Sequence, residues 1–349
     1  MSSKNFSIMS YTDVMDKSFN IHKKHMGTSA LYLLIFYIIS FILSLVLILI
    51  GVFSFGFLAF NSLNDFQEDL LTRNMGIGSI ITFTSIFVII FLFMYLFKAI
   101  KEVGIIDIAS RGILDKKVRL ENAIGQAFKN IPVVLSVLLA YSIILIPFMP
   151  IVGGLGYLTF RLDLIENFDQ FSVWMIVLGL GILCIYGYLT TIYMFTIQAA
   201  VVEKLYFFKA LRRSRMLVKG CFWRLLGVNI LFSITVLAIT YSIYSILGIL
   251  GGLLYIVIKS FSSDESTMTI LMMIGNLLRL PLQVLFSLFI SPLTGIFLTT
   301  LYYNQRFKKE GYNIQLKLEK LEETEKTIKE KNSEKFITST DDSKQRNIR

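Results

Sequence analysis

The stretch SALYLLIFYIISFILSLVLILIGVFSFGFLAF, residues 29–60, contains no charged side chain. Roughly 20 apolar residues in a helix are enough to cross the hydrocarbon core of a membrane. Five further apolar runs follow at 75–97, 131–160, 171–202, 225–258 and 269–303, and only the last holds a charge, Arg279. The sequence therefore predicts an all-α polytopic membrane protein with six transmembrane helices.

Charges in the gaps between these runs alternate in sign. The balance is +2 over residues 1–28, +3 over 98–130, +6 over 203–224 and +3 over 304–349. The three remaining gaps, 61–74, 161–170 and 259–268, carry −2, −2 and −1. Because Lys and Arg accumulate on the cytoplasmic side of membrane proteins, we expect an inner-membrane protein with both termini in the cytoplasm. The overall charge of +10 is then topogenic and lipid-facing, and no nucleic-acid partner is expected.

An amphipathic helix is predicted before each odd-numbered run. These elbow helices fall within residues 1–28, near 116–130 and near 203–222, and each has an apolar stripe at helical spacing. The stripes are Tyr11, Val14, Ser18 and Ile21; Leu120, Ala123, Ile124, Ala127 and Phe128; and Phe207, Leu211, Ser214, Val218 and Phe222. We therefore predict three units of elbow helix plus helical hairpin, divided into a 1–28 helix, a 29–303 membrane domain and a 304–349 tail.

The elbow helices have two interpretations. Such a helix can lie along the headgroups with its apolar stripe in the acyl boundary and its cations on anionic lipid. Alternatively, it can form a docking surface for a cytosolic protein partner. Five cations of the third elbow are the candidate lipid or partner contacts: Lys209, Arg212, Arg213, Arg215 and Lys219.

A second candidate site surrounds the intramembrane Arg279. Ionisable residues inside a membrane often mark a functional site, and no acid in any of the apolar runs can pair with this one. Asn276 and Gln283 are polar neighbours, and Pro281 is expected to open a break in the helix where backbone groups could line a cavity. The alternatives are an anion or headgroup site and a structural arginine satisfied by these neighbours.

Catalytic and metal-binding motifs are not found in the sequence. It has no Gly-rich phosphate loop, no His-Glu-x-x-His and no paired cysteine ligands. The two histidines, His22 and His25, flank Lys23 and Lys24, whose charges disfavour a bound metal. We therefore expect no cofactor, no metal and no enzymatic activity.

Two further patterns give expectations about packing. Glycines cluster in the halves of the runs predicted to face outward, and Gly248 and Gly252 have the spacing that lets helices approach closely. We expect tight helix packing there, with a mobile outer gate as the alternative. In the tail, Ile314, Leu318, Leu321 and Ile328 predict a helix of a few turns, and disorder is expected beyond Lys331.

Three segments resemble a known family. Residues 199–231, AAVVEKLYFFKALRRSRMLVKGCFWRLLGVNIL, contain a Val-Glu helix end, an Ala-Leu-x-x-Ser turn, Lys-Gly and Trp-Arg. Residues 299–316, TTLYYNQRFKKEGYNIQL, contain a Tyr-Tyr pair, an Arg and a Glu-Gly. Both resemble signatures of the glycerophosphoryl diester phosphodiesterase membrane-domain family and related YciC-type inner-membrane proteins. The opening YTDVMDKSFNIHKKHMG fits the amino-terminal elbow of that family, so the resemblance extends from residue 11 to about 316.

The resemblance implies a membrane fold and location rather than a reaction. Fused family members carry a separate catalytic barrel with carboxylates and histidines around a metal, and no segment of this chain resembles that barrel. Two functions remain open: a non-enzymatic accessory or scaffold subunit that organises anionic lipid or a partner complex, and a transporter or lipid-handling protein using the Arg279 region. The sequence does not identify a substrate, a partner or an oligomeric state.

Overall fold

The computed structural model describes residues 7–64, 77–145, 168–261, 265–319, 321, 322 and 325. Side chains are described for fewer of these residues; those of 54–64, 77–94, 168–175 and most of 261–280 lie outside the description. Nine helices follow one another within the described ranges, which contain no strand: α1 Tyr11–Asn64, α2 Ile77–Ile113, α3 Leu120–Lys129, α4 Ile131–Leu145, α5 Phe168–Ile192, α6 Thr196–Glu203, α7 Phe208–Val218, α8 Phe222–Phe261 and α9 Glu265–Glu310. Residues 312–319 are also helical.

Four of the described helical segments are long and apolar enough to cross a membrane. They are Tyr11–Phe53, Gly179–Glu203, Phe222–Leu253 and Pro281–Glu310. A fifth candidate is the bent pair of α3 and α4, whose axes meet at 51°. The prediction of an all-helical, multi-pass membrane protein is confirmed. The finer prediction of six spans in three units is not confirmed, and the side chains of the second predicted span, 75–97, lie largely outside the described residues.

Short helical segments lie in all three predicted elbow ranges. The first is the beginning of α1, which is interrupted by non-helical backbone at His25, with φ −116 and ψ 17, before the apolar run continues. The second is α3, which joins α4 at a bend, and the third is α7. The bend of 51° between α3 and α4 sets the second elbow at an angle to the helix that follows it.

Part of the apolar stripe of each elbow helix packs inside the protein. Val14 and Ser18 of α1, Ala127 of α3, and Leu211 and Ser214 of α7 are all buried. Other members of the same stripes, Phe128 and Phe207, are exposed, and whether they contact lipid or a protein partner stays a prediction. The three elbows contribute Val14, Ala127 and Val218 to one core that they share with the long helices. We call this end of the molecule the elbow layer: residues 11–25 of α1, 98–113 of α2, α3, α6, α7 and residues 293–310 of α9.

Close helix contacts also concentrate at or near the elbow layer. The rings of Phe232 and Phe297 stack with their centroids 3.7 Å apart. Gly104 of α2 lies directly under the ring of Tyr32, where a Cβ atom would collide with it. A Cβ at Gly295 of α9 would similarly lie 2.8 Å from Ile105. These contacts join α1, α2, α8 and α9.

Much of the far halves of the spans lies outside the described side chains, so the glycine packing predicted there stays a prediction. A Cβ added at Gly248 or Gly252 meets no described atom within 4 Å, so the expected close packing is not made at these glycines by the described part of the chain. Phe53 of α1 and Leu183 of α5 are exposed, as are many other apolar side chains on these helices. Such surfaces suit contact with lipid chains, which cover apolar side chains without a protein partner.

Candidate functional site

A cluster of charged side chains ties together three helices of the elbow layer. Glu203 ends α6, Arg213 lies on α7, and Arg306 and Glu310 lie on the last turns of α9. Arg213 Nε is 2.8 Å from Glu203 Oε2, and its Nη1 is 2.5 Å from Glu310 Oε1. Arg306 Nε is 3.2 Å from Glu310 Oε2 and 3.5 Å from Glu203 Oε1. Tyr302 completes this ion-pair cluster by donating a hydrogen bond of 2.5 Å to Glu203 Oε1.

The ion-pair cluster is largely shielded from solvent. Its four charged side chains are only 12% to 26% exposed. Burial alone would lower the pKa of Arg213, but hydrogen bonds from Arg213 to Glu310 and Glu203 outweigh that effect and raise its pKa. Two acids balance two bases, so removing one member would leave a half-buried charge unpaired. The cluster therefore holds α6, α7 and α9 together, and we call it the joint; its residues are Glu203, Arg213, Tyr302, Arg306 and Glu310.

Ser214 stabilises the break between α5 and α6 and connects it to α7. Its hydroxyl donates to the carbonyl oxygen of Ile192 at 2.8 Å and accepts from the backbone N–H of Phe195 at 3.2 Å. A helix interruption leaves backbone groups without partners, and this side chain supplies two of them. The amphipathic α7 is thereby fixed to the end of α5.

Lys309 caps the carboxyl end of α7. Its Nζ lies 3.1 Å from the carbonyl oxygen of Met216 and 2.5 Å from that of Lys219. Carbonyls at a helix C-terminus carry partial negative charge, which a cation offsets. Residues of α9 therefore hold α7 at both its side and its end.

The amino-terminal segment is fastened to α9 by a reciprocal pair of hydrogen bonds. Met9 donates its backbone N–H to Asn304 Oδ1 at 3.0 Å, and Asn304 Nδ2 donates to the Met9 carbonyl at 3.1 Å. Both residues are buried. The beginning of α1 is thus held against the last helix before the first membrane span starts.

The structure separates the five candidate docking cations into two groups. Arg213 points into the ion-pair cluster and is not an outward contact. Lys209 is exposed, as are Arg212, Arg215 and Lys219. These last three line a cavity of about 470 Å³ at the junction of α5, α7 and α8. Whether they contact lipid or a protein partner stays a prediction.

Helix α9 runs without interruption through the second candidate site. It is continuous over Glu265–Glu310 and contains Pro281 within it, so the expected backbone break at this proline is not seen. Proline removes one hydrogen bond from a helix interior, but its φ is compatible with helical backbone and membrane helices tolerate it. Pro281 and Gln283 are exposed, whereas the side chains of Arg279 and Asn276 lie outside the described residues. The Arg279 site stays a prediction.

The residues that carry the family resemblance meet in space. Glu203 comes from the Val-Glu of the first segment, and Tyr302, Arg306 and Glu310 come from the second. Sequence analysis singled out none of these four as site residues. The only signal was their presence in the two quoted segments, because a contact between helices so distant in sequence has no local pattern. Both segments therefore describe one joint of the elbow layer.

The far end of this joint is formed by the aromatic residues around Tyr312. The guanidinium of Arg306 lies 3.9 Å from the Tyr312 ring centroid, and Tyr303 stacks on the same ring at 6.4 Å. Gly311 has a φ of +63, a conformation that favours glycine, and turns the chain back toward α9.

Among the side chains that the structure describes, no group of three or more His, Cys, Asp or Glu residues is placed to hold a metal ion.

Comparison with known proteins agrees with this architecture. A family model described as the membrane domain of glycerophosphoryl diester phosphodiesterase matches residues 69–340, which is more than half of the chain. No curated protein and no solved structure matches. The match includes both segments that form the joint and confirms their resemblance to the family, whereas the opening segment at residues 11–27 lies outside the matched range. The chain belongs to the family of the membrane domain of glycerophosphoryl diester phosphodiesterase.

Proposed function

We propose that this chain is a non-enzymatic membrane scaffold or accessory subunit whose elbow layer engages anionic lipid headgroups at the cytoplasmic face of a bacterial inner membrane. The observation that carries the proposal is the division of charge in α7. Arg213 is used internally by the ion-pair cluster, whereas Lys209, Arg212, Arg215 and Lys219 remain exposed. The joint holds this basic surface in place, as a scaffold requires.

Aromatic side chains support placing the elbow layer at a membrane interface. Trp223, at the start of α8, is 80% exposed. Tyr206 and Phe208, on either side of the start of α7, are also exposed. Trp and Tyr are enriched at the headgroup level of membranes, where one part of the ring contacts lipid and the other contacts water. The +6 balance over residues 203–224 supports a cytoplasmic orientation.

The proposal of no enzymatic activity follows from how the charged side chains are used. The acids and bases of the ion-pair cluster are neutralised by one another and hold helices together, so they offer no unpaired acid or base. The family that matches is described as a membrane domain. A role in binding and organisation accounts for both features.

Transport around Arg279 is the alternative function. Transporter sites are often built where a membrane helix is interrupted and its half-helix ends point at the substrate. Helix α9 passes through Pro281 without interruption, so its backbone provides no such ends there. We therefore favour the scaffold over the transporter.

The test is to extract the full-length chain from its native membrane in polymer-bounded discs and to quantify the lipids retained. We expect anionic phospholipid in these discs to be enriched at least about twofold over the bulk membrane, because exposed cations near the surface attract it. Discs around an unrelated multi-pass protein are the control. Equal lipid composition in both, or measurable hydrolysis of a glycerophosphodiester by the purified chain, would contradict the proposal.

A further inference from the structure

We infer that the cavity between α5, α7 and α8 is a discrete binding site for a single anionic phospholipid, whose phosphate is held by Arg212, Arg215 and Lys219. The inference rests on the proposed function and makes it specific, because it replaces a diffuse basic surface with one bound lipid. The cavity measures about 470 Å³, which is large enough for a phospholipid headgroup and the first part of its chains.

The charge of the cavity favours a phosphate. Its lining contains three cations, Arg212, Arg215 and Lys219, and no carboxylate. Arginine donors match the geometry of phosphate oxygens, and a lysine adds a mobile point charge. A second cavity of about 460 Å³, beside the start of α1, is mixed in charge, because its lining includes three aspartates and two lysines: Asp13, Asp16, Asp115, Lys17 and Lys24.

The end of α7 would oppose an anion if it were not capped. Its last carbonyls carry partial negative charge and lie at the same end as Lys219. Lys309 neutralises this effect by donating to the carbonyls of Met216 and Lys219. The three cavity cations therefore keep their attraction for a ligand instead of being spent on the end of their own helix.

The apolar wall of the cavity indicates a lipid rather than a soluble anion. Tyr188 and Ile192 come from α5, and Phe222 comes from the first residue of α8. Both helices belong to candidate membrane spans, so this wall continues directly into surface that lipid chains cover. A free phosphate would gain nothing from these side chains, whereas an acyl chain would bury them.

Local backbone geometry holds the cavity open. Gly220 has a φ of +82 and turns the chain sharply between α7 and α8. The Ser214 hydroxyl fixes the other side of α7 to the end of α5 through Ile192. Helix α7 is thus held between α5 and α8, with its exposed cations beside the opening of the cavity.

The experiment compares two triple variants of the full-length protein by native mass spectrometry after reconstitution with phosphatidylglycerol. The cavity variant is R212Q/R215Q/K219Q, and the control is K23Q/K24Q/K129Q, which removes the same charge from exposed positions outside the cavity. We expect the wild type and the control to retain one phosphatidylglycerol, and the cavity variant to bind it at least about tenfold more weakly. Thermal unfolding checks that all three proteins are folded.

The other outcomes are distinguishable. Equal loss of lipid in both triple variants would overturn the discrete site while leaving the proposed function intact. Absence of phosphatidylglycerol from the wild type would contradict the proposed function as well. A third variant, Tyr188→Ala, tests the apolar wall: we expect weaker retention of phosphatidylglycerol with all cations present. Displacement of the lipid by millimolar inorganic phosphate would show a soluble-anion site and overturn the assignment to lipid.

Discussion

Tyr302 donates a hydrogen bond of 2.5 Å to the carboxylate of Glu203, a residue 99 positions earlier in the chain. The same carboxylate group accepts from Arg213 of α7. One glutamate therefore connects α6, α7 and α9, and the two segments that carry the family resemblance are the two halves of a single joint.

Replacing Glu203 with glutamine should destabilise the protein. The change leaves Arg213 and Arg306 half-buried with only Glu310 to balance them, so we expect a loss of roughly 2 kcal/mol in unfolding free energy, below the cost in a fully buried pair. Thermal unfolding in mild detergent measures it. Glu319→Gln, an exposed change of the same kind, is the control. Equal melting temperatures for the two variants would show that the ion-pair cluster contributes no stability.

Two glycines should respond in opposite ways to alanine. A Cβ at Gly104 collides with the Tyr32 ring, so Gly104→Ala should cost about 1 to 3 kcal/mol through overpacking. A Cβ at Gly252 meets no described atom, so Gly252→Ala should be neutral or stabilise its helix by about 0.5 to 1 kcal/mol. Detergent melting temperatures compare them. A large loss of stability at Gly252 would indicate a helix contact, within the chain or with a second copy.

Removing the two hydrogen bonds between Met9 and Asn304 should loosen the first residues of α1. Asn304→Ala removes both hydrogen bonds to Met9 and leaves a buried backbone N–H without its partner, at a cost of about 1 to 3 kcal/mol. Hydrogen exchange at the Met9 amide should accelerate while exchange in α8 stays unchanged. Asn20→Ala, at an exposed position on α1, is the control. An unchanged rate of hydrogen exchange at the Met9 amide in the Asn304 variant would show that these hydrogen bonds do not hold the segment in place.

Orientation is tested with single cysteines in intact cells. After Cys184 and Cys221 are replaced by serine, Lys209→Cys should resist an impermeant thiol reagent in cells and react in inverted vesicles, because the +6 balance of its segment favours the cytoplasm. Lys209 is exposed, whereas Ser214 is buried and would resist labelling on either side. Labelling of Lys209→Cys from outside would reverse the orientation.

Hydropathy predicted the helical membrane architecture because an apolar run is a local property of the chain. The run at 29–60 and the elbow around Leu211 both follow from residue spacing alone. The spacing also identified which face of α7 is apolar, but not what covers it. Val218, on that face, packs on other helices of the protein, because the elbows share one core.

Long-range contacts explain most of what the sequence could not predict. Arg212 and Arg213 are neighbours, and the sequence predicted both as docking cations. Consecutive side chains on a helix, however, point about 100° apart. Arg213 therefore meets Glu203 and Glu310, while Arg212 lines a cavity. Glycine spacing was similarly uninformative about partners, since among the described residues the close contacts occur at Gly104, Gly112 and Gly295 and not at Gly248 and Gly252.

A double-mutant cycle between Arg213 and Glu310 tests most directly whether the two signature segments form one joint. Arg213 Nη1 and Glu310 Oε1 are 2.5 Å apart, and each residue belongs to a different segment. Unfolding free energies are measured for the wild type, Arg213→Gln, Glu310→Gln and the double variant. If the segments form the joint, the double variant loses less than the sum of the single losses, by a coupling of about 1 kcal/mol. Losses that add within about 0.3 kcal/mol would contradict the joint, because additivity is the behaviour of residues that do not interact.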